Sequence, residues 1–218
     1  MTREARGELA DLAAPRPTLA RHERFEGRVW NLVSDEVDLG HAQVTRDFVQ
    51  HTGAVAMVAL NESDEVYLVR QYRHPVGAEC WEPPAGLLDV ADEPPVEAAK
   101  RELHEEADLT AATWHVLADF FPSGGGSSEA VRIFLARDLA VVPEAERHVR
   151  TDEERDMVGV WVPLDEVLAA IAAGRMHASS LVVGAMAADL ARRSGWSTLR
   201  PADAPWLLPP EDRRRPSK

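Results

Sequence analysis

Three closely spaced glutamates within one predicted helix constrain this chain more than any other feature. Glu102, Glu105 and Glu106 stand at positions i, i+3 and i+4, a spacing that gathers side chains on one side of a helix. Like charges this close repel each other by a few tenths of a kcal/mol per pair. A helix gains nothing from such crowding unless a cation is bound there, and carboxylate oxygens are the ligands that Mg²⁺ and Mn²⁺ prefer.

The residues around these glutamates have the pattern of an amphipathic helix over about 94–107. Pro94 and Pro95 suit a helix start, where the missing N–H is no loss, and Asp92 is a candidate N-cap. An apolar stripe at helical period is formed by Val96, Ala99, Leu103 and Ala107. The first and last of the three glutamates then lie at the border between core and solvent. A solvated acidic face is the alternative for such a helix taken alone.

The sequence upstream of the helix favours the metal site. With the helix it makes the run G-x6-E-x7-R-E-L-x-E-E-x-x-L from Gly86 to Leu109. This run resembles the signature of the Nudix hydrolases, G-x5-E-x7-R-E-U-x-E-E-x-G-U, where U is aliphatic. One residue more than usual separates Gly86 from Glu93, unless Asp92 takes the glutamate position. Asp108 stands where the second glycine is usual.

The resemblance implies a divalent metal site on this helix. Glu102 and Glu106 are the expected side-chain ligands of Mg²⁺, with Mn²⁺ as the alternative ion, and the backbone carbonyl of Ala85 completes the ligand set. Glu105 is expected to be a weaker third ligand or to act beside the metal. Arg101 resembles the arginine of the family that orients a glutamate through a charge-assisted hydrogen bond.

Two further segments, 71–75 and 82–89, look like the ADP-ribose pyrophosphatase branch of this family. The residues expected to contact the substrate are Arg73, Arg70, Glu82 and Trp30. Arg73 would pair with the diphosphate, because the planar guanidinium fits phosphate oxygens; an ordinary strand-end cation is the alternative for both arginines. Trp30 would stack on adenine, and a buried core tryptophan is the alternative.

A late acidic loop, 151–157, matches the position from which this branch supplies a further glutamate. We expect Glu154 to be the general base, with Glu153 as the alternative, because a base needs only hydrogen-bond reach to the attacking water. The alternative is a solvated acidic loop without a catalytic role. The glycine-rich segment 121–129 corresponds to a Ser-Pro-Gly type loop of the same branch, and its hydroxyls and glycines suit a close approach to ribose or phosphate.

The charge and the cysteine content limit the possible partners. The 218 residues carry a net charge of −13, which argues against nucleic acid as a partner. The single cysteine, Cys80, excludes an intramolecular disulfide and fits a reducing compartment. We find neither a signal-peptide pattern at the N-terminus nor an apolar run long enough to cross a membrane. A cytoplasmic protein is therefore expected.

Hydrophobic periodicity predicts an α/β (α+β) fold with a mixed sheet. Strands are predicted at 24–38, 43–51, 54–60, 66–69, 114–121, 130–136 and 158–162, and helices at 94–107, 163–173 and 179–193. Strands interrupted by one helix and followed by others favour a sheet with helices on its faces. The resemblance sharpens this to a Nudix α/β/α sandwich with extra N-terminal strands.

The expected organisation is one catalytic domain with additions at both ends. The predicted divisions are a flexible leader (1–20), N-terminal strands for dimerisation (21–52), the Nudix hydrolase domain (53–197) and a C-terminal tail (198–218). By analogy with the branch, a homodimer is expected. The resemblance implies Mg²⁺-dependent hydrolysis of ADP-ribose to AMP and ribose 5-phosphate. The alternatives are hydrolysis of another nucleoside diphosphate sugar, or a non-catalytic Nudix-like module that binds nucleotide.

Overall fold

A computed structural model of the protein describes residues 9–149 and 157–210. Within them the strands are β1 (Thr18–Glu26), β2 (Asn31–Asp38), β3 (Gln43–Gln50), β4 (Ala54–Ala59), β5 (Glu65–Arg73), β6 (Ala78–Glu82), β7 (Ala85–Leu87), β8 (Leu109–Phe120), β9 (Val131–Val141), β10 (Val158–Pro163) and β11 (Arg200–Pro201). The helices are α1 (Pro95–Ala107), α2 (Leu164–Ala172) and α3 (Ser179–Arg193). None of the helices in these residues is both long and apolar enough to cross a bilayer.

The central sheet has the strand order β11-β8-β9-β4-β7. Strands β4 and β9 pair in parallel, whereas the other pairs are antiparallel, so the sheet is mixed as predicted. Helix α1 packs on one face, and α2 and α3 pack on the other. A second sheet, β10-β5-β6, and a third, β1-β2-β3, complete the structure. The predicted α/β/α sandwich is therefore confirmed.

Strand β4 shows why this sheet lies in the middle. Its side chains alternate between two cores, with Val55 and Met57 toward α1 and Ala56 and Val58 toward α2 and α3. All four are at most 1% exposed, so this strand is buried on both faces. Helix α3 approaches closely because Gly184 has no side chain: a Cβ there would lie 2.9 Å from Val58 Cγ2.

The single strand predicted from residue 24 to 38 is wrong, because the chain turns in the middle of it. Strand β1 ends at Glu26, and β2 begins at Asn31 and pairs antiparallel with it. The backbone N–H of Gly27 donates to Asn31 Oδ1 at 3.2 Å, and a Cβ at Gly27 would collide with the carbonyl of Trp30. Strand β1 also begins at Thr18, inside the predicted leader.

The structure differs most from the expectation at the C-terminus. Residues 200–210, predicted as part of a tail, cross the sheet and are called the C-terminal strap below. The strap begins with β11 on β8, and Trp206 packs against the core beneath α1. It ends beside the start of β4, where a Cβ at Gly53 would lie 2.6 Å from Pro210 Cγ. Strands β6, β7 and β11 were also not predicted.

Candidate active site

The two glutamates expected to bind metal converge on the short strand β7. This strand is held by β4, with Ala85 opposite Ala56 and Gly86 opposite Val55. Glu106, whose exposed fraction is 8%, accepts a hydrogen bond from the backbone N–H of Ala85 at 2.9 Å. The carboxyl group of Glu102 lies against Gly86 so closely that a Cβ on this glycine would collide with it. The glycine is therefore required by the position of Glu102.

Arg101 lies at the centre of the remaining acidic side chains. Its guanidinium forms a bidentate pair with Glu93, at 3.1 Å from Nε to Oε1 and 3.0 Å from Nη2 to Oε2. Nη1 also donates to Glu102 Oε1 at 2.6 Å and to Glu105 Oε2 at 3.3 Å. The hydrogen bonds that Arg101 donates to Glu93, followed by the charge of Glu102, raise the pKa of Arg101 above its usual value.

The charges of this cluster do not balance. One guanidinium faces the three carboxylates of Glu93, Glu102 and Glu105, and Glu106 adds a fourth carboxylate one helical turn beyond Glu102. An excess of negative oxygen ligands fits a hard divalent cation. No preformed group of three or more His, Cys, Asp or Glu ligands occurs among residues 9–149 and 157–210, and the carboxylates instead contact Arg101 and the β7 backbone.

At both departures from the Nudix signature, one residue has a left-handed backbone conformation. Asp92 has φ +62°, and the N-cap of α1 is Pro94, so the predicted capping role of Asp92 is wrong. Glu93 pairs with Arg101, so it occupies the glutamate position despite the extra residue. At the other end of α1, Asp108 is the C-cap with φ +53°, the conformation for which glycine is favoured.

Arg73 and Glu82 lie together on the face of the second sheet that is turned toward α1. The guanidinium of Arg73 pairs with Glu82 at 2.8 Å from Nε to Oε1 and 2.5 Å from Nη2 to Oε2. This hydrogen-bonded pair is the largest cause of a raised pKa for Arg73, and the charge of Glu106 adds to it. The arginine is therefore within the electrostatic field of Glu106.

The structure does not bring Arg70 to the same place. It stands three residues before Arg73 on β5, and odd separations along a strand point to opposite faces. Its guanidinium lies 5.5 Å from the centroid of the Trp81 ring and pairs with Glu79 at 3.3 Å. Trp30 lies in the turn between β1 and β2 with 43% of its surface exposed, so it is not a buried core residue. Its ring lies 6.4 Å from the ring of Phe25.

The remaining predicted site residues are the candidate bases, Ala85 and the glycine-rich segment 121–129. Glu154 and Glu153, the candidate bases, fall outside the described residues. For Ala85 we expected the carbonyl to contribute, whereas the contact made here is from its N–H to Glu106; every residue carries this group, so no pattern could single it out. The glycine-rich segment is held to β3, because the N–H of Val49 donates to Gly126 O at 2.9 Å.

Comparison with known proteins agrees with this geometry. The NUDIX domain family model matches residues 50–181. The ADP-ribose pyrophosphatase of Mycobacterium tuberculosis is 40% identical over 191 residues, which cover 87% of this chain and 90% of that protein. The ADP-ribose pyrophosphatase of Bacillus subtilis is 34% identical and covers 69% of this chain and 80% of its own length.

A solved structure supports the fold. It is the crystal structure of an ADP compounds hydrolase, with a TM-score of 0.68 and 18% identity, and the match covers 86% of this chain and 100% of that one. At this low sequence identity, the match supports the fold and nothing further. Membership of the family rests on the family model, which spans more than half of the chain, and on the two relatives. This chain belongs to the Nudix hydrolase family.

Proposed function

We propose that this chain hydrolyses the diphosphate bond of ADP-ribose to give AMP and ribose 5-phosphate. The observation that carries the proposal is the convergence of Glu102 and Glu106 on the Ala85–Gly86 backbone, in a chain 40% identical over most of its length to an ADP-ribose pyrophosphatase. Another nucleoside diphosphate sugar remains the second substrate class. The surplus of carboxylates around Arg101 favours an enzyme over a module that only binds nucleotide.

The metal ligands in this proposal are Glu102, Glu106 and the carbonyl of Ala85, and the ion is Mg²⁺, with Mn²⁺ as a substitute. A bound divalent cation neutralises phosphate oxygens and lowers the pKa of a bound water. The protein's own contribution is position. Arg101, fixed by its fork on Glu93, orients Glu102 and Glu105 through charge-assisted hydrogen bonds.

Arg73 is the proposed partner of the substrate diphosphate. Its fork is presented rigidly because Glu82 holds it in a bidentate pair, and a preorganised guanidinium loses little entropy when it binds an anion. Arg70, on the opposite face of β5, is a weaker candidate. Glu154 is the proposed general base, with Glu153 as the alternative, and Trp30 remains the proposed adenine contact because its ring is exposed.

Trp30 can reach a substrate only if the N-terminal sheet lies near a catalytic site. We infer a homodimer in which β1-β2-β3 of one subunit meets the site of the other. This sheet exposes Leu19 and Phe25, and its β1–β2 turn exposes Val29 and Trp30; exposed apolar patches mark association surfaces. Sedimentation equilibrium measures the state directly; a monomer at working concentration would contradict the dimer.

The proposed reaction is tested with purified protein and a panel of nucleoside diphosphate sugars, with Mg²⁺, with Mn²⁺ and with EDTA. We expect AMP and ribose 5-phosphate from ADP-ribose in the presence of either metal, and no product in EDTA. Preference for another sugar nucleotide would correct the substrate and keep the reaction. Tight nucleotide binding without turnover of any compound would favour the non-catalytic module. A Glu154→Gln variant that keeps full activity would contradict only the base.

A further inference from the structure

A pocket of about 460 Å³ lies between the C-terminal strap and the end of β8. Its volume is in the range of small-molecule sites. It lies away from the glutamates, because Phe120 on β8 is opposite Val131, Val131 is opposite Ala54, and Ala54 is opposite Leu87 of β7. Three strand spacings separate β8 from β7, which is about 14 Å. Phe121, the first residue of the glycine-rich segment 121–129, lines this pocket, whereas Arg70, Arg73 and the glutamates of α1 do not.

The position of the strap at this pocket is fixed by a buried arginine. Arg132 is 3% exposed and donates to both oxygens of Asp119, at 2.7 Å and 3.1 Å. It also donates to the carbonyls of Ala204 and Pro205, at 2.8 Å and 3.2 Å. Its guanidinium carbon lies 4.7 Å from the centroid of the Trp206 ring. A buried charge with this many partners allows little movement, so the aromatic wall is built in advance.

The walls of the pocket are mainly aromatic and aliphatic. Phe120, Phe121 and Trp206 contribute rings, and Leu207 and Leu208 contribute aliphatic surface. Aromatic side chains grouped in this way suit a flat ring, and stacking a nucleobase on one contributes about 1–3 kcal/mol.

The polar groups of the pocket are a guanidinium and a carboxylate. Arg200 donates from Nη1 to Asp119 Oδ2 at 2.9 Å, and its side chain is 41% exposed. Since a guanidinium has five N–H groups, it has donors to spare for an anion. The charge of Asp119 is already balanced by Arg132, so Arg200 supplies the positive charge. Asp11 lines the pocket as well and offers an acceptor for an amino group.

We propose that this pocket binds a nucleoside monophosphate whose base carries an exocyclic amino group, such as AMP. The base stacks on the aromatic walls, its amino group donates to Asp11, and the phosphate accepts from Arg200. AMP binding here does not depend on ADP-ribose hydrolysis: either can fail in its own assay while the other holds.

The test is calorimetric titration of the protein with AMP in EDTA, without divalent metal. We expect binding at one site, weakened at least tenfold in Arg200→Gln because a charge-assisted bond is lost. Phe121→Ala should weaken it at least fivefold. Arg193→Gln, which removes an exposed arginine from α3, should leave it unchanged. Inosine monophosphate, without the amino group, should bind more weakly, and Asp11→Asn should narrow that difference.

Two results overturn the proposal. One is the absence of AMP binding to the unaltered protein. The other is binding that is lost in Arg73→Gln and retained in Arg200→Gln and Phe121→Ala, since the nucleotide would then occupy the proposed catalytic site. Thermal unfolding of each variant shows that it is folded, and Phe121→Ala, whose side chain is already half exposed, serves if Arg200→Gln is unstable.

Discussion

Two arginines, Arg101 on α1 and Arg132 on β9, each hold a cluster of oxygen acceptors, and the two clusters differ in charge. Arg101 is bonded to three carboxylates and its side chain is 32% exposed. Arg132 is bonded to one carboxylate and two backbone carbonyls, and its side chain is 4% exposed. One cluster carries surplus negative charge at the border of the core, whereas the other has no surplus of carboxylates, because Asp119 pairs with the buried Arg132 and also with Arg200.

This difference in charge indicates that the cluster around Arg101 is a binding site and that the cluster around Arg132 is structural. The donors of Arg132 bond to acceptors of the protein itself, and these bonds fix the strap against the sheet. A surplus of carboxylates beside a glycine backbone costs free energy through mutual repulsion, and this cost is recovered only when a cation arrives. The comparison therefore predicts that changes at the first cluster remove activity and that changes at the second remove stability.

The largest effect is expected from Glu106→Gln. The amide can still accept from the N–H of Ala85, so the fold should persist, but the charge that is proposed to hold the cation is lost. We expect kcat for ADP-ribose to fall about a thousandfold, which is about 4 kcal/mol of barrier. Glu97→Gln is the matched control, because Glu97 is exposed on the same helix and paired with Lys100. Full activity in Glu106→Gln would contradict the metal assignment.

The next effect is on stability, from Arg132→Met. The change leaves Asp119 with Arg200 alone and two carbonyls without their donor. We expect the free energy of unfolding in urea to fall by about 3 kcal/mol, with kcat of the folded protein within about twofold. Arg137→Met on the same strand is the control, because its described contact is the Trp196 ring at 4.8 Å. If the free energy of unfolding falls equally in the two variants, the proposed structural role of the buried cluster is contradicted.

The two clusters were not equally visible in the sequence. The glutamates of α1 are local, so helical spacing alone brings them together, and the Nudix pattern adds Gly86. The contacts of Arg132 join residues 13, 72 and 73 positions apart, and no local pattern reports such pairs. The same reason explains why the strap was predicted as a tail. The β1–β2 turn was missed because partial alternation runs through it, and only Gly27 marks the break.

A smaller loss of activity is expected from Arg101→Lys. Lysine keeps the charge but has no planar fork for Glu93, so Glu102 and Glu105 are oriented less well. We expect kcat to fall about tenfold, equivalent to about 1.4 kcal/mol. If Arg101 acts through its pair with Glu93, Glu93→Gln should give a similar loss, and the double variant should lose less than the sum. Additive losses would show that the two residues act separately.

The smallest effect is a gain in stability from Asp108→Gly at the end of α1. Asp108 has φ +53°, and the left-handed conformation costs a residue with a Cβ about 1 kcal/mol. Glycine removes that cost but enlarges the freedom of the unfolded chain, so we expect the free energy of unfolding to rise by about 0.5 kcal/mol. The kcat should not change, because this residue caps the C-terminal end of the helix. A large loss of kcat would instead show that Asp108 contributes to the reaction. The aspartate at the position of the second signature glycine would then have a functional role.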